Sequence, residues 1–397
     1  MIFHPLKTDY AGRGGPMFRL ALKTGLLTVL TLGFYRFWMK TRMRRYYWSA
    51  VRPGGQPLEF VGTPTEMLTG FLTAVVFLAF YIGIVNLLLM FFSFSLFSGE
   101  APAYAVSFIG LVPLIFFAQY RARRYILART RWRGIRFGLE PGVAGFVWRS
   151  AFWWTATLVT AGLLYPAQVW ALEKYRTDRT WYGDAQFEQR GDWKSLFGAM
   201  KHVYLGAAIV AGSTAAEVLL EDPVWLAGIV MGALWMALGW AYWKAHRFKR
   251  LTEQKTVAGA GFRCTPRPGR LVGIYLGGSL AISALLTAVF FGIFVVIAVL
   301  ASLFAPAMLE TAVEDISDVA QLPAWMAVVA GVMGYFAIFL FWGVLREVFI
   351  TMPIARHFAE TTEIVDAEGL SAVRQRDRDD FVEAEGFADA LPLGDGI

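Results

Sequence analysis

Residues 31 to 48 read TLGFYRFWMKTRMRRYYW, an apolar stretch that runs without a break into a cluster of arginines. An apolar helix partitions into hydrocarbon, whereas arginine seeks phosphate and water, so the junction between them belongs at one face of a bilayer. Similar junctions recur at Tyr120 to Arg136, Lys174 to Arg190, Trp243 to Arg263 and, in weaker form, Pro353 to Val365. The chain thus reads as membrane segments separated by basic modules.

The 397 residues are 57% hydrophobic, and Leu271 to Leu309 contains no Asp, Glu, Lys or Arg. Runs of this length exclude an ordinary soluble globule, and because they are continuous rather than alternating they exclude a transmembrane barrel. An all-α polytopic membrane protein is expected. The N-terminus has no short apolar core with a small-residue cleavage site, so no removable signal peptide is expected. A single cysteine, Cys264, excludes an internal disulfide, and four scattered histidines give no zinc spacing. No metal and no cofactor are implied.

Segment one, Met17 to Trp38, has only twelve uncharged residues between Lys23 and Arg36, which is ~18 Å of helix against ~30 Å of hydrocarbon. Gly33 is a natural break within it. Pro53, Gly54 and Gly55 then precede the alternating Leu58, Phe60 and Gly62, which suggests a small hairpin whose Leu58 and Phe60 pair with a strand near Tyr10. Three helical hairpins follow along the chain: Met67 to Ser98 with Ala101 to Tyr120, residues 203–220 with 223–243, and Leu271 to Leu309 with Val319 to Leu345.

Segment four, Ser150 to Leu172, is interrupted by Gly162 and Pro166 and parallels segment one. VTAGLLYPAQVW at 159–170 echoes LTLGFYRFW at 30–38, and each leads into a basic-aromatic stretch and then a glycine and a phenylalanine (Gly55 and Phe60; Gly183 and Phe187). This is read as an internal repeat. The expected architecture is about six transmembrane helices in three hairpins plus two re-entrant or interfacial broken helices, with small β-hairpin-like surface modules. Eight plain crossings are the alternative. The expected divisions are a first repeat at 1–143, a second at 144–267, a C-terminal helical hairpin at 268–359, and a largely disordered tail at 360–397 that begins with a short strand, TEIV.

Charge supplies the threading. The turns around Glu100, Asp222 and Asp315 lack Lys and Arg, and the opposite loops hold nearly all of them, so those loops are expected in the cytoplasm. The net charge of +7 conceals a tail, 360–397, with eleven acidic and three basic side chains, also expected on the cytoplasmic side. A basic body in a membrane protein reads as contact with anionic headgroups, so membrane lipids are the expected partners and nucleic acid is not. No feature designates a protein partner.

At TLGFYRFWMKTRMRRYYW, with GQPLEFVGT after it, the chain resembles the YjgN-like family of bacterial inner-membrane proteins. The second copy, around Gly162 to Phe187, keeps Tyr165, Pro166 and Trp170 and reduces the arginine pair to Arg176 and Arg179. The resemblance implies a bacterial inner membrane and a repeated architecture, and it transfers no catalytic residue.

Arg42, Arg44, Arg45, Arg121, Arg123, Arg124, Arg247 and Arg250 are most simply topological anchors; the functional alternative is that their forks bind the phosphate of a lipid headgroup or solute. Within or beside the apolar runs the polar candidates are Asn86, Gln168, Glu217, Arg346 and Glu347. No Ser/His/Asp set, HExxH, P-loop or paired catalytic carboxylates can be placed by spacing, so an enzyme is the minority reading. Transport or handling of a lipid or small anionic solute is the leading expectation. A membrane scaffold or envelope-stress component with a basic cytoplasmic face is the alternative, as is a bundle of eight plain crossings with no transport role.

Overall fold

A computed structural model describes residues 5–96, 100–304 and 324–376. Its basic modules are strands: β1 Leu6–Tyr10, β2 Val51–Pro53, β3 Leu58–Phe60, β4 Thr130–Trp132, β5 Ile135–Leu139, β6 Thr180–Tyr182, β7 Ala185–Gln189, β8 Lys255–Val257, β9 Ala260–Cys264 and β10 Thr362–Val365. Tight turns fold the hairpins. Arg133 and Gly134 have φ of 51° and 78°, and Ala258 and Gly259 have 49° and 80°, the left-handed pair that matches the twist of flanking strands.

These hairpins join into one antiparallel sheet in the order β2-β1-β10-β9-β8-β7-β6-β5-β4-β3. An isolated two-stranded hairpin is marginal in water, and side by side they bury a common core of Trp132, Tyr182, Val257 and Ile364. Phe137, Phe187 and Phe262 occupy matching places on β5, β7 and β9, with ring centroids 6.3 and 6.5 Å apart along the row. The two outermost strands, β2 and β3, are consecutive in the chain, so the ten-stranded sheet nearly closes on itself.

The all-α expectation is therefore corrected: what read as separate small surface modules is one near-barrel. Strands of three to five residues carry too little alternation to announce a sheet, and their partners lie whole helices away in the chain. The pairing expected at the first module is also corrected. Tyr10 pairs with Val51, while Leu58, Glu59 and Phe60 pair with Trp132, Arg131 and Thr130. The strand expected at TEIV is β10, placed between β1 and β9.

Alternation of strand direction puts the turns β4–β5, β6–β7 and β8–β9 at one end of the sheet. Residues 366–376 run along that end. Leu370 and Val373 enter the core, Asp184 N donates to Arg374 O at 2.9 Å, Arg374 N returns a bond to Asp184 Oδ1 at 3.0 Å, and Arg136 N donates to Gln375 Oε1 at 2.8 Å. The acidic segment that follows, 377–397, lies outside the described residues, as does the expected turn around Asp315.

The helices, in chain order, are α1 Gly14–Leu30, α2 Arg36–Ala50, α3 Pro64–Phe80, α4 Leu87–Leu96, α5 Glu100–Ala128, α6 Val143–Val159, α7 Tyr165–Thr177, α8 Lys194–Leu220, α9 Val224–Glu253 and α10 Pro268–Phe304, followed by Ala324–Arg346 and Met352–Glu360. Two compact units result. The first, residues 1–11, 44–272 and 355–397, contains the sheet and α3 to α9; the second comprises 12–43 and 273–354. Within the second, α1 packs on Ala324–Arg346, with Gly25 set against Val344.

Five stretches among the described residues are long and apolar enough to cross a membrane: Pro64–Ser95, Lys194–Leu220, Val224–Glu253, Pro268–Gly292 and Gly334–Glu360. The expected count of about six is corrected accordingly. Pro64–Ser95 joins α3 and α4 through a π-helical turn at Tyr81–Asn86, and α5 carries the basic Arg121, Arg123 and Arg124 in its last third.

Neither α1 and α2 nor α6 and α7 belong to those five. Each pair is separated by a break of the same form. Leu32 and Gly33 have φ of 49° and 94°, and Ala161 and Gly162 have 48° and 88°. Gly33 N donates to Thr28 O and Gly162 N to Thr157 O, both at 2.7 Å. Thr31 Oγ1 accepts from Tyr35 N at 2.9 Å, and Thr160 Oγ1 from Leu164 N at 3.3 Å. Glycine suits such a break because an L side chain strains the left-handed region.

Candidate functional site

Helix α7 follows the second break. Pro166 lies in its first turn, where a missing N–H costs nothing and the fixed φ favours helix, so this residue starts a helix rather than interrupting one. Spacings of three and four residues then place Glu173, Arg176 and Thr177 on one face, and Lys174 bridges Asp178 at 2.9 Å beside it.

Glu173 is the centre of a charged cluster in the first unit, with ion pairs to Arg123, Arg176 and Lys255. Its side chain is 10% exposed. Arg123 of α5 reaches its two oxygens at 3.2 and 3.4 Å, Arg176 donates at 2.9 Å, Lys255 at the start of β8 donates at 2.6 Å, and the Thr177 hydroxyl lies at 3.5 Å. The charge of Arg247 on α9 also acts on Arg176. One carboxylate therefore ties α5, α7 and β8 together. Burial alone would push its pKa up, but the charges of Arg123, Lys255 and Arg176 and the Lys255 hydrogen bond override it, holding the carboxyl well below its usual value. Burial pushes Arg176 down to about 10 despite the opposing pull of Glu173, and lowers Lys255 for the same reason.

A carboxylate with this environment stays ionised at neutral pH, so it cannot serve there as a general acid. The cluster is suited to holding negative charge. Arg176 Nε is buried without a hydrogen-bond partner, and the cations remain more open than the acid they surround: Arg123 is 33%, Arg176 25% and Lys255 20% exposed. Among the described residues no three His, Cys, Asp or Glu side chains converge as a metal site.

The arginines singled out from the sequence have varied surroundings. Arg123 belongs to this cluster, and the charge of Arg247 acts on it from α9. Arg42 lies 5.6 Å from the Tyr35 ring, Arg44 5.7 Å from Phe60 and Arg121 5.5 Å from Phe117. Arg45 donates to Gly62 O at 2.9 Å and Arg124 to Leu139 O at 3.1 Å, so both also bind backbone around the sheet. Arg250 is exposed near the end of α9.

The polar candidates are scattered. Gln168 accepts from Thr157 Oγ1 at 2.7 Å, bracing the break at Gly162. Asn86 closes the π-helical turn with its Oδ1 buried and unpartnered, close to Tyr81, whose hydroxyl donates to Gly110 O on α5 at 2.7 Å. Glu217 is half-buried in the last turn of α8, Arg346 is exposed, and Glu347 opens a second π-helical turn, Glu347–Thr351. Gly33 and Gly162 are the two helix breaks.

Glu173 and Lys255 were missed by sequence reasoning, and Arg176 entered it only as part of a degenerate motif. One signal pointed there: in WALEKYRTDRTW, residues 170–181, a glutamate precedes a run of bases on a helix face. Its partners at 123 and 255 are recognisable only once the sheet draws their elements together.

Comparison with known proteins follows the same outline. The inner membrane protein YjgN of Salmonella typhimurium is 29% identical over 150 residues, 38% of this chain and 34% of that protein. The inner membrane protein YjgN of Escherichia coli O157:H7 is 26% identical over 144 residues, 36% of this chain and 33% of its own. The matched stretch thus spans about a third of these relatives. No solved structure gives a significant match. The family described as bacterial protein of unknown function (DUF898) matches residues 5–390, nearly the whole chain, and to that YjgN-like family the chain belongs.

Proposed function

We propose that this is an inner-membrane protein that handles an anionic lipid or a small anionic solute at the face where its helices enter the sheet. The observation that carries the reading is the placement of the bases. Arg44, Arg45, Arg123, Arg124 and Arg247 stand at helix ends next to the strands, while exposed apolar side chains such as Leu72, Val76, Leu234 and Leu238 cover the membrane-length helices. An anionic headgroup is attracted to bases where apolar helix meets water.

The same face is cytoplasmic in this proposal. Residues 51–60, 130–139, 180–189 and 255–264 contribute strands to one sheet, and hydrogen-bonded strands share a compartment, as the positive-inside rule requires of these basic stretches. The parallel breaks at Gly33 and Gly162 support an internal duplication.

The test uses the full chain in nanodiscs containing both phosphatidylglycerol and phosphatidylcholine, with native mass spectrometry counting the lipids retained. Neutralising the exposed Arg42, Arg45 and Arg250 together to Gln should reduce phosphatidylglycerol retention and its salt sensitivity, since attraction at this surface decays over ~8 Å at physiological ionic strength. Equal retention of both lipids by the wild type, unaffected by salt, would favour a membrane scaffold that uses its basic face for protein partners.

A further inference from the structure

The Glu173 cluster has more positive charge and more donors than its one acid can use. A carboxylate offers about four lone-pair directions, and five donor atoms already converge on it: two from Arg123 and one each from Arg176, Lys255 and Thr177. Arg247 adds a fourth cation to the neighbourhood. Buried or partly buried charge of one sign is costly unless an opposite charge neutralises it. Arg176 Nε, buried and without an acceptor, marks a direction in which a further acceptor is missing.

The pattern of exposure indicates how an acceptor would enter. Glu173 is the most enclosed member, with the three cations in contact with it each more open. An anion can therefore approach the cations from the open side while the carboxylate stays beneath and holds their side chains in place. Arginine forks match phosphate oxygens geometrically, and a phosphate group carries more acceptor oxygens than a carboxylate.

We infer that Arg123, Arg176 and Lys255 form a phosphate-binding site, positioned from below by Glu173, that takes the phosphate of a lipid headgroup or of a small solute. This rests on the anion-handling reading above and gives it a location. Glu173 is a positioning residue here, because it acts on the ligand only through the cations.

The experiment follows thermal unfolding of the full chain in uncharged detergent. The probes are inorganic phosphate, with chloride at matched ionic strength as its control, and dihexanoyl phosphatidylglycerol, with dihexanoyl phosphatidylcholine as its control. The melting temperature of the wild type should rise with phosphate or with phosphatidylglycerol and not with the controls. A response to phosphatidylglycerol alone identifies a headgroup site, and a response to free phosphate identifies a solute site. Lys255→Met should raise the half-maximal concentration about tenfold, the loss expected for a hydrogen bond to a charged group. Arg176→Lys, which keeps the charge and removes Nε, should raise it by less.

Arg123→Gln keeps the test decisive should Lys255→Met fail to fold, since Arg176 and Lys255 still hold Glu173; it too should weaken the response. A wild type that melts identically in phosphate, phosphatidylglycerol and their controls overturns the site, as does an undiminished response in Arg123→Gln. Either result leaves the nanodisc comparison of Arg42, Arg45 and Arg250 intact, so the failure of this site is distinguishable from the failure of the broader reading.

Discussion

Lys255 Nζ lies 2.6 Å from Glu173 Oε1, fastening the first residue of β8 to the middle of α7. The bond crosses between two stretches of chain separated by the whole α8–α9 pair. Glu173→Gln should destabilise the protein by roughly 2 to 4 kcal/mol, because it leaves three cations facing a neutral amide. Lys255→Met should cost less, about 1 to 2 kcal/mol, since two arginines still satisfy the acid. Denaturation of the two variants beside the wild type checks the order, and a reversed order would mean that Lys255 supports the sheet independently of Glu173.

The same acid sets an acid-stability window. Its pKa is depressed in the folded protein, so its contribution is fully present above the unfolded value of about 4.3 and is lost as pH falls through the folded value. The wild type should keep its full advantage over Glu173→Gln from neutrality down to about pH 4.3, with the two melting curves converging only in more acid solution. Convergence near pH 6 in a melting series would show that the carboxylate is not held by its cations.

Gly183 has φ of 57°, and a Cβ there would run into the carbonyl of Arg374. Gly183→Ala should therefore loosen residues 366–376 from the turn end of the sheet as well as strain the turn itself, at about 1 to 2 kcal/mol for the backbone alone. Limited proteolysis should release the C-terminus faster in the variant. Truncation after residue 365 removes Leu370 and Val373 from the core and should lower the melting temperature.

Close helix packing gives a further expectation. A Cβ on Gly206 of α8 would lie 2.7 Å from Met236 N on α9, and one on Gly239 of α9 would lie 2.9 Å from Val203 N on α8. Membrane helices approach this closely only through small residues. Gly206→Leu should separate the pair and lower detergent stability sharply, whereas Gly198→Leu, at a position with open space around it, should have little effect.

Cys264 is fully buried and its Sγ lies 3.3 Å from Thr362 Oγ1, and burial pushes its thiol pKa up. The thiolate is the reactive form, so a maleimide should leave the native wild type unlabelled and modify it only after unfolding. Single cysteines placed at Gly134 or Gly259 should label in inverted vesicles and not from outside intact cells. Labelling of either from outside would refute the cytoplasmic placement of the sheet.

Much of this arrangement could be read from the residues. Gly183 with Phe187, and Gly33 with Gly162, were visible as recurring signals, and they became a turn, one member of a row of rings and a matched pair of breaks. What could not be read was partnership across the chain. A triplet such as Thr130–Trp132 gains its meaning from β3 and β5 on either side, and Glu173 looks like an ordinary helix-surface acid until Arg123 and Lys255 are brought to it. Local spacing encodes hairpins and helices, whereas the contacts that unite them depend on chain closures over dozens of residues, which no short pattern records.

The position of β10 between β1 and β9 has a consequence for biogenesis. Strand β1 has one of its two neighbours, β2, within reach early in synthesis, but the other, β10, follows only at Thr362–Val365. Until Thr362–Val365 emerges, β1 and β9 each retain an unpaired edge, and the sheet stays split between them. Completion of the sheet thus waits on β10, so a chain that stops before it keeps open edges available to other strands and to proteases.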